Sequence, residues 1–230
     1  MATLLITGAN RGIGLELTKE FTRRRWEVHA CCRSPEDAGE LQALAAAAEL
    51  VTLHRLEVTD RDQILELAGR LKGTPLDILL NNAGSYGPAQ QGFGASDAAA
   101  WLETFRVNSI APLCMAEAFV EHVAASERRV IATVGSVMGS IAENDSGGHY
   151  AYRTSKAAAH MVMKGLAVDL APRGIVTVAL HPGWVRTRMG GSTAPVTPEA
   201  SAAGLAEVLL GLGREQSGRL IDYQGNLLPW

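Results

Sequence analysis

Cysteine is scarce in this chain. Its 230 residues hold three, Cys31, Cys32 and Cys114. Two are adjacent and none falls into a metal-ligand spacing, so neither a disulfide framework nor a metal site is expected. A reducing cytoplasm is the plain inference. Long apolar runs are missing as well, and no stretch reaches the length of a membrane span. The opening MATLLITGAN has no basic segment ahead of its brief apolar run, which argues against a secretory leader. The formal net charge is only −3. That gives no basis for nucleic acid or an anionic membrane as partner.

What the chain does have is alternation. Short apolar runs at 3–7, 26–32, 50–53, 76–80, 129–134, 175–180 and 219–222 read as strands. Helical patterns lie between them at 14–25, 96–125 and 151–170, and the Ala-rich run at 43–48 also suits a helix. Pro172 and Gly174 stop the last long helix. Strands separated by helices predict βαβ units and a parallel sheet covered on both faces. The length suits one such α/β domain across 1–230, with no linker or repeat. Two loops, 85–95 and 190–198, are of functional size. In an open parallel sheet such loops sit at the carboxyl ends of strands, where ligands bind.

TGANRGIG, residues 7–14, follows the first strand and opens the first helix. Gly8, Gly12 and Gly14 permit a tight turn and let backbone N–H groups approach a pyrophosphate; Asn10, Arg11 and Ile13 lie within the same turn. The spacing is GxxxGxG rather than the general GxGxxG, but the strand–turn–helix setting favours a dinucleotide. The general pattern puts an acid at the end of the second strand to bind a ribose hydroxyl. Here the chain reads Cys31-Cys32-Arg33-Ser34. Arg33 cannot accept from a hydroxyl but can clamp a phosphate, and Arg11 adds a second cation. NADP(H) is therefore expected ahead of NAD(H).

In YAYRTSK, residues 150–156, Tyr152 and Lys156 are four apart on a predicted helix and share a face. An ammonium beside a phenol favours phenolate, so Lys156 is expected to lower the Tyr152 pKa and make an acid–base group of it. Tyr150 lacks such a partner, since position 154 is Thr. Asn108 carries a separate prediction. Its carbonyl would accept from residue 112 in an α-helix, and residue 112 is Pro. The helix should kink there and leave that carbonyl for an ordered water.

TGANRGIG, NNAG (81–84), Asn108, Ser136, YRTSK (152–156) and HPGWVRT (181–187) stand in the order seen in short-chain dehydrogenases/reductases, which this chain resembles from residue 7 to 187. The tail SGRLIDYQGNLLPW resembles the C-factor and sniffer-like branch, similar to NADPH-dependent carbonyl reductases. The resemblance implies a Rossmann fold and hydride transfer between a nicotinamide and a carbonyl or alcohol carbon. It implies Tyr152 as proton donor, Lys156 as its activator and ribose ligand, Ser136 as the group positioning the substrate oxygen, and Asn108 as the anchor of a proton-relay water. Asn82, Ala83 and Gly84 would line the cofactor. Pro182, Gly183, Trp184, Val185 and Thr187 would hold the carboxamide. A homodimer through the helices around 96–125 and 151–170 is implied too. C-factor-like proteins are associated with cell–cell signalling, so the resemblance also carries a second reading, a nucleotide-binding regulatory protein with little turnover.

Several positions depart from the family pattern. Glu57-Val58 stands where Asp-Val often contacts adenine, and Glu is longer. Gly135 replaces a serine that often precedes the catalytic one, and Arg188 replaces a usual Asp. A hydrolase triad of Ser136, His149 and Asp145 is disfavoured, because Val134-Gly135-Ser136-Val137-Met138 is no GxSxG elbow.

Overall fold

A computed structural model describes residues 1–230. Strand β1 (Thr3–Thr7) leads through helix α1 (Gly12–Arg23) to β2 (Glu27–Cys32), α2 (Gly39–Ala47) and β3 (Val51–Arg55). The chain then crosses back through α3 (Arg61–Arg70) to β4 (Ile78–Asn81). Helices α4 (Ala98–Phe105) and α5 (Ala111–Ala124) lead to β5 (Val130–Val134), and α6 (Tyr150–Asp169) to β6 (Val176–His181). Helix α7 (Pro198–Gly211), β7 (Arg219–Asp222) and the short β8 (Leu227–Leu228) complete the chain. The sheet runs β3-β2-β1-β4-β5-β6-β7-β8, parallel except for the antiparallel β7–β8 pair. The fold is thus a doubly wound α/β sheet of Rossmann type with helices on both faces.

β1, β4 and β5 are buried along their whole length, which is why they read as unbroken apolar runs rather than alternating ones. Alternate residues feed two cores. Leu4 and Ile6 pack with Leu17 and Phe21 of α1 and Leu205 and Leu209 of α7. Leu5 joins Ile64 and Leu67 of α3, Phe119 of α5 and Met163 of α6 on the other face. Order reverses between β1 and β4, so a crevice opens at their carboxyl ends.

The predicted helix at 96–125 is two helices joined by a π-helical turn, Arg106–Ile110. Pro112 has no N–H to give to the Asn108 carbonyl, and the N–H of Ala111 reaches back five residues to the Arg106 carbonyl. The regular ladder is therefore broken by widening the turn. α1 begins at Gly12, two residues earlier than predicted. α3, α7 and the edge strand β8 were not anticipated. α3 carries Ile64, Leu67 and Ala68 at helical spacing, with Leu71 buried just after its end, and is capped by Asp60, which accepts from Asp62 and Gln63 N–H. α7 starts with Thr197 accepting from Ala200 N–H and with Pro198 in its first turn.

Candidate active site

The glycine turn is shaped by what it lacks. Gly8 and Gly12 have φ of +66° and +55°, a region L side chains avoid. A Cβ on Gly14 would lie 2.3 Å from the Gly8 carbonyl oxygen and 2.4 Å from Asn82 Nδ2, so no side chain fits there. Asn82 stitches the turn to the end of β4. Its Nδ2 donates to the Thr7 and Gly8 carbonyls at 2.9 and 3.1 Å. The N–H groups of Asn82 and Ala83 both donate to Thr7 Oγ1. A Cβ on Gly12 would meet Thr187 Cγ2 at 3.3 Å, so the loop after β6 closes on the same turn. Arg11, at the head of α1, makes no side-chain cap, which leaves the first helical N–H groups free of one. Free helix N–H groups beside a surface kept clear of Cβ atoms fit the pyrophosphate of a dinucleotide. Asn10 and Ile13 line this turn half-buried.

Arg33 follows β2 and is 71% exposed at its side chain, with Nη1 3.7 Å from Glu57 Oε2. The sequence treats these two as separate ligands, whereas the structure makes them a loose pair at one corner of the crevice. Glu57 Oε1 is turned into its own loop, accepting from Thr59 N–H at 3.1 Å and Thr59 Oγ1 at 3.0 Å. Val58 is buried beside it.

Tyr152 and Lys156 lie one turn apart on α6, both buried. Lys156 Nζ donates to the Val134 carbonyl at 2.6 Å, next to Ser136 at the end of β5. A Cβ on Gly84 would sit 3.6 Å from the same Nζ, so the NNAG turn reaches this cluster. The Asn108 amide makes three hydrogen bonds. It accepts from Ser85 N–H at 2.8 Å and donates to the Ser85 carbonyl at 2.8 Å and Ser155 Oγ at 2.9 Å. The structure thus brings together Asn108, Ser136, Tyr152 and Lys156, which lie up to 48 positions apart in the chain.

The electrostatics differ from expectation. Burial pushes the Tyr152 phenol up to about 12, and a hydrogen bond with Ser136 pulls the other way. Burial also pushes Lys156 down to about 8. The ammonium is 5.7 Å from the Tyr152 ring centroid and spends its short hydrogen bond on Val134, so desolvation outweighs it. Burial prevails over the nearby ammonium, and the Tyr152 pKa stands above its ordinary value in this arrangement. The phenol is held protonated at neutral pH.

The loop after β6 is closed on itself. Trp184 Nε1 donates to the Gly190 carbonyl at 2.7 Å, and Thr187 Oγ1 accepts from Gly190 N–H at 3.2 Å. Val185 bridges to Val196. The Pro182 carbonyl accepts from Ser201 Oγ at 2.7 Å, and Gly183 (φ +84°) passes against the Tyr223 ring. Arg188 is exposed.

Two side chains of the site carry no sequence expectation, Gln91 and His160, and Tyr86 of the 85–95 loop takes a place beside them. Gln91, buried, accepts from Tyr152 N–H through Oε1 at 2.8 Å and donates from Nε2 to the Tyr86 and Pro88 carbonyls. It caps α6 from a distant loop, because the residue before the helix, His149, makes no side-chain cap. Tyr86 covers the phenol, its ring centroid 4.8 Å from that of Tyr152, and its hydroxyl bonds His149 Nδ1 at 2.8 Å. His149 is thereby committed to Tyr86, and the ring that reaches Ser136 is that of His160. The last residue left no signal beyond falling four positions after Lys156, on the same helical face.

Residues 2–196 match the family model of short chain dehydrogenases. C-signal of Myxococcus xanthus is 45% identical over 156 residues, which is 68% of this chain and 93% of that protein. Among solved structures, carbonyl reductase Sniffer of D. melanogaster is 34% identical with a TM-score of 0.94 and full coverage of both chains. The NADPH-bound carbonyl reductase from chicken fatty liver matches with a TM-score of 0.94 at 34% identity, over 100% of this chain and 99% of that one.

Proposed function

The chain belongs to the short chain dehydrogenase family, an oxidoreductase family, and from that premise we propose that it reduces a small carbonyl compound, or oxidises the matching alcohol, with NADP(H). The observation that carries this reading is the buried Tyr152–Lys156 pair on α6, with Ser136 beside the phenol and the NNAG turn reaching Lys156. When bound, the nicotinamide supplies the hydride; the protein supplies position and a proton.

Tyr152 holds its proton at neutral pH and gives it to the substrate oxygen. Ser136 Oγ accepts from Met138 N–H at 3.1 Å, and its hydrogen bond with Tyr152 sets the hydroxyl beside the phenol, where both would meet that oxygen. Lys156 is still charged at pH 7 and offsets the phenolate as it forms. Pro112 offers the Asn108 backbone carbonyl no N–H, and both amide hydrogens of its side chain are already bonded, so that carbonyl would hold a relay water. Gly8, Gly12, Gly14, Asn82, Ala83 and Gly84 would hold the dinucleotide backbone. Pro182 to Val185 and Thr187 would hold its carboxamide end.

Preference for the 2′-phosphate rests on Arg33 after β2, with Arg11 exposed nearby and no acid at the strand end. The chicken liver relative carries NADPH. The loops 85–95 and 190–198 wall the substrate side, and Tyr86 gives that wall a flat aromatic surface over the phenol. A homodimer belongs to the reading as well. Leu102, Met161 and Val168 are exposed on α4 and α6, whereas Met163 is core.

A second reading is favoured by the identity with C-signal, that the chain binds the nucleotide and serves regulation with little turnover. Consumption of NADPH with a panel of ketones, aldehydes and quinones separates the two. Turnover is the expected result; tight NADPH binding with no turnover on any of them favours the second.

A further inference from the structure

The turn that carries Ser136 has a complete hydrogen-bond account. Gly135 N–H donates to the Leu180 carbonyl at 2.7 Å, and Gly139 N–H to the Ser136 carbonyl at 2.9 Å. Met138 N–H goes to Ser136 Oγ, and Ser140 N–H to the Val137 carbonyl. The two N–H groups left, on Ser136 and Val137, go to histidine rings. Ser136 N–H donates to His160 Nε2 at 3.3 Å, and Val137 N–H to His181 Nδ1 at 3.2 Å. A backbone N–H only donates, so both ring nitrogens are acceptors and both rings are neutral.

The fit around His160 is tight. A Cβ on Gly135 would lie 2.6 Å from its Nε2, and a Cβ on Gly139 2.7 Å from its Cε1. This is the physical reason for Gly135, where relatives often have serine. The Trp230 ring packs on the His160 ring, centroids 5.5 Å apart. The proton of His160 must sit on Nδ1, and that atom is buried without a partner. A buried unpartnered N–H is a cost to the fold, so an apolar side chain would serve packing better. His181 ends β6, paired in register with Asp222 of β7.

The geometry points to His160 and His181 as positioning residues: their neutral rings receive consecutive N–H groups of the serine turn and so fix the direction of the Ser136 hydroxyl. Protonation of either acceptor nitrogen turns it into a donor facing a donor, and the turn loses that hold. The charged and titratable groups facing His160 are Lys156 on its own helix and His181 across from it; Asp222 faces His181 from β7. The first two oppose a proton on His160, while Asp222 favours one on His181. The inference rests on the reading of Ser136 as the group that orients the substrate oxygen.

The test uses two substitutions at each position. Gln places an oxygen acceptor near where His Nε2 lies, and Asn places one near His Nδ1. Hence His160→Gln and His181→Asn keep the acceptor, and His160→Leu and His181→Leu remove it. NADPH binding is followed by fluorescence titration, turnover by initial rates from pH 4 to 8, so that the window reaches the range where burial places the His181 titration. Expected are a fall in kcat of roughly 10²-fold in each Leu variant, an unchanged NADPH dissociation constant, and recovery of most of kcat in the Gln and Asn variants. The wild type should show a fall of kcat as pH drops toward 4, and the double variant His160→Gln/His181→Asn should lose it. Near-wild-type kcat in the Leu variants overturns the inference, and so does an equal fall in Leu and Gln variants that fold. Should the Leu variants not fold, the double variant decides alone. Retained kcat without the acid fall supports the inference, and an unaltered acid fall or a lost kcat in folded protein overturns it. Ser136→Ala tells the two readings apart. Undiminished turnover there sinks the role of Ser136 itself, whereas abolished turnover there with intact His160→Leu sinks only the histidine inference.

Discussion

Lys156 Nζ donates to the Val134 carbonyl at 2.6 Å while standing 5.7 Å from the Tyr152 ring centroid. The lysine is thus tied to the sheet and stands near the phenol without bonding it. Its pKa is pushed down to about 8 by burial, while that of Tyr152 is pushed up to about 12. Carbonyl reduction should then hold level around neutrality and fall as pH rises through about 8, where Lys156 loses the charge that offsets the forming phenolate. Lys156→Arg keeps that charge. It should lower kcat but move the alkaline fall upward by at least a unit. A fall at an unchanged pH in the Arg variant would assign the limb to another group.

Arg33 is largely exposed and its one ion pair, with Glu57, is long at 3.7 Å. Removing it should leave stability within about 0.5 kcal/mol. Arg33→Ala should raise KM for NADPH about tenfold or more and leave KM for NADH nearly unchanged, because the lost contact is to the extra phosphate. Equal changes for the two cofactors would exclude Arg33 as the discriminating group.

Gln91 is the distant cap of α6, and its side chain also folds the 85–95 loop through two carbonyls. Gln91→Leu leaves the buried Tyr152 N–H without an acceptor. A loss of about 1–3 kcal/mol is expected in urea unfolding. The carbonyl substrate's KM should rise with it, since Tyr86 sits on the same loop. Wild-type stability in that variant would contradict the capping role.

Four histidines sit at or near the core. Burial lowers His29, His54 and His181, the second and third to about 4, and His160 to about 3. Glu27 opposes the shift at His29 and Asp222 that at His181. Their folded pKa values lie below the unfolded value, so the unfolded chain binds more protons in acid. Stability contributed by these groups is fully present above about pH 6.5 and is lost as pH falls toward 4 and 3, at about 1.4 kcal/mol per pH unit for each histidine titrating. Urea midpoints should be level from pH 7 to 8 and drop between pH 6 and 5. A midpoint that stays level down to pH 5 would rule out neutral, buried histidines.

Much of the fold was legible because the central strands are buried on both faces and so read as short apolar runs. TLLIT at β1 and VIATV at β5 leave little doubt about period or length. α3 and α7 escaped notice for opposite reasons. α3 shows a polar surface around three core residues, and α7 is rich in Ala, whose burial depends on the partner rather than on pattern. In the site, the glycine turn and the Tyr152–Lys156 spacing are local features, and local features are visible in a sequence. Gln91 meets Tyr152 across 61 positions and His160 meets Ser136 across 24, and no spacing rule predicts such contacts. The expected lowering of the Tyr152 pKa is overridden because spacing shows that Lys156 is near and says nothing of the burial that raises the phenol.

The two phenols of YAYRTSK offer the most direct test. Tyr152 is buried beside Ser136, and Tyr150 is 39% exposed at the first turn of α6. Tyr152→Phe and Tyr150→Phe are compared for NADPH-dependent carbonyl reduction, with NADPH binding measured in parallel. Loss of the proton donor should lower kcat in Tyr152→Phe by about 10²–10⁴-fold with the NADPH dissociation constant nearly unchanged. Tyr150→Phe should keep its kcat. Full turnover in Tyr152→Phe, with NADPH still bound, would contradict the assignment of Tyr152 as the proton donor.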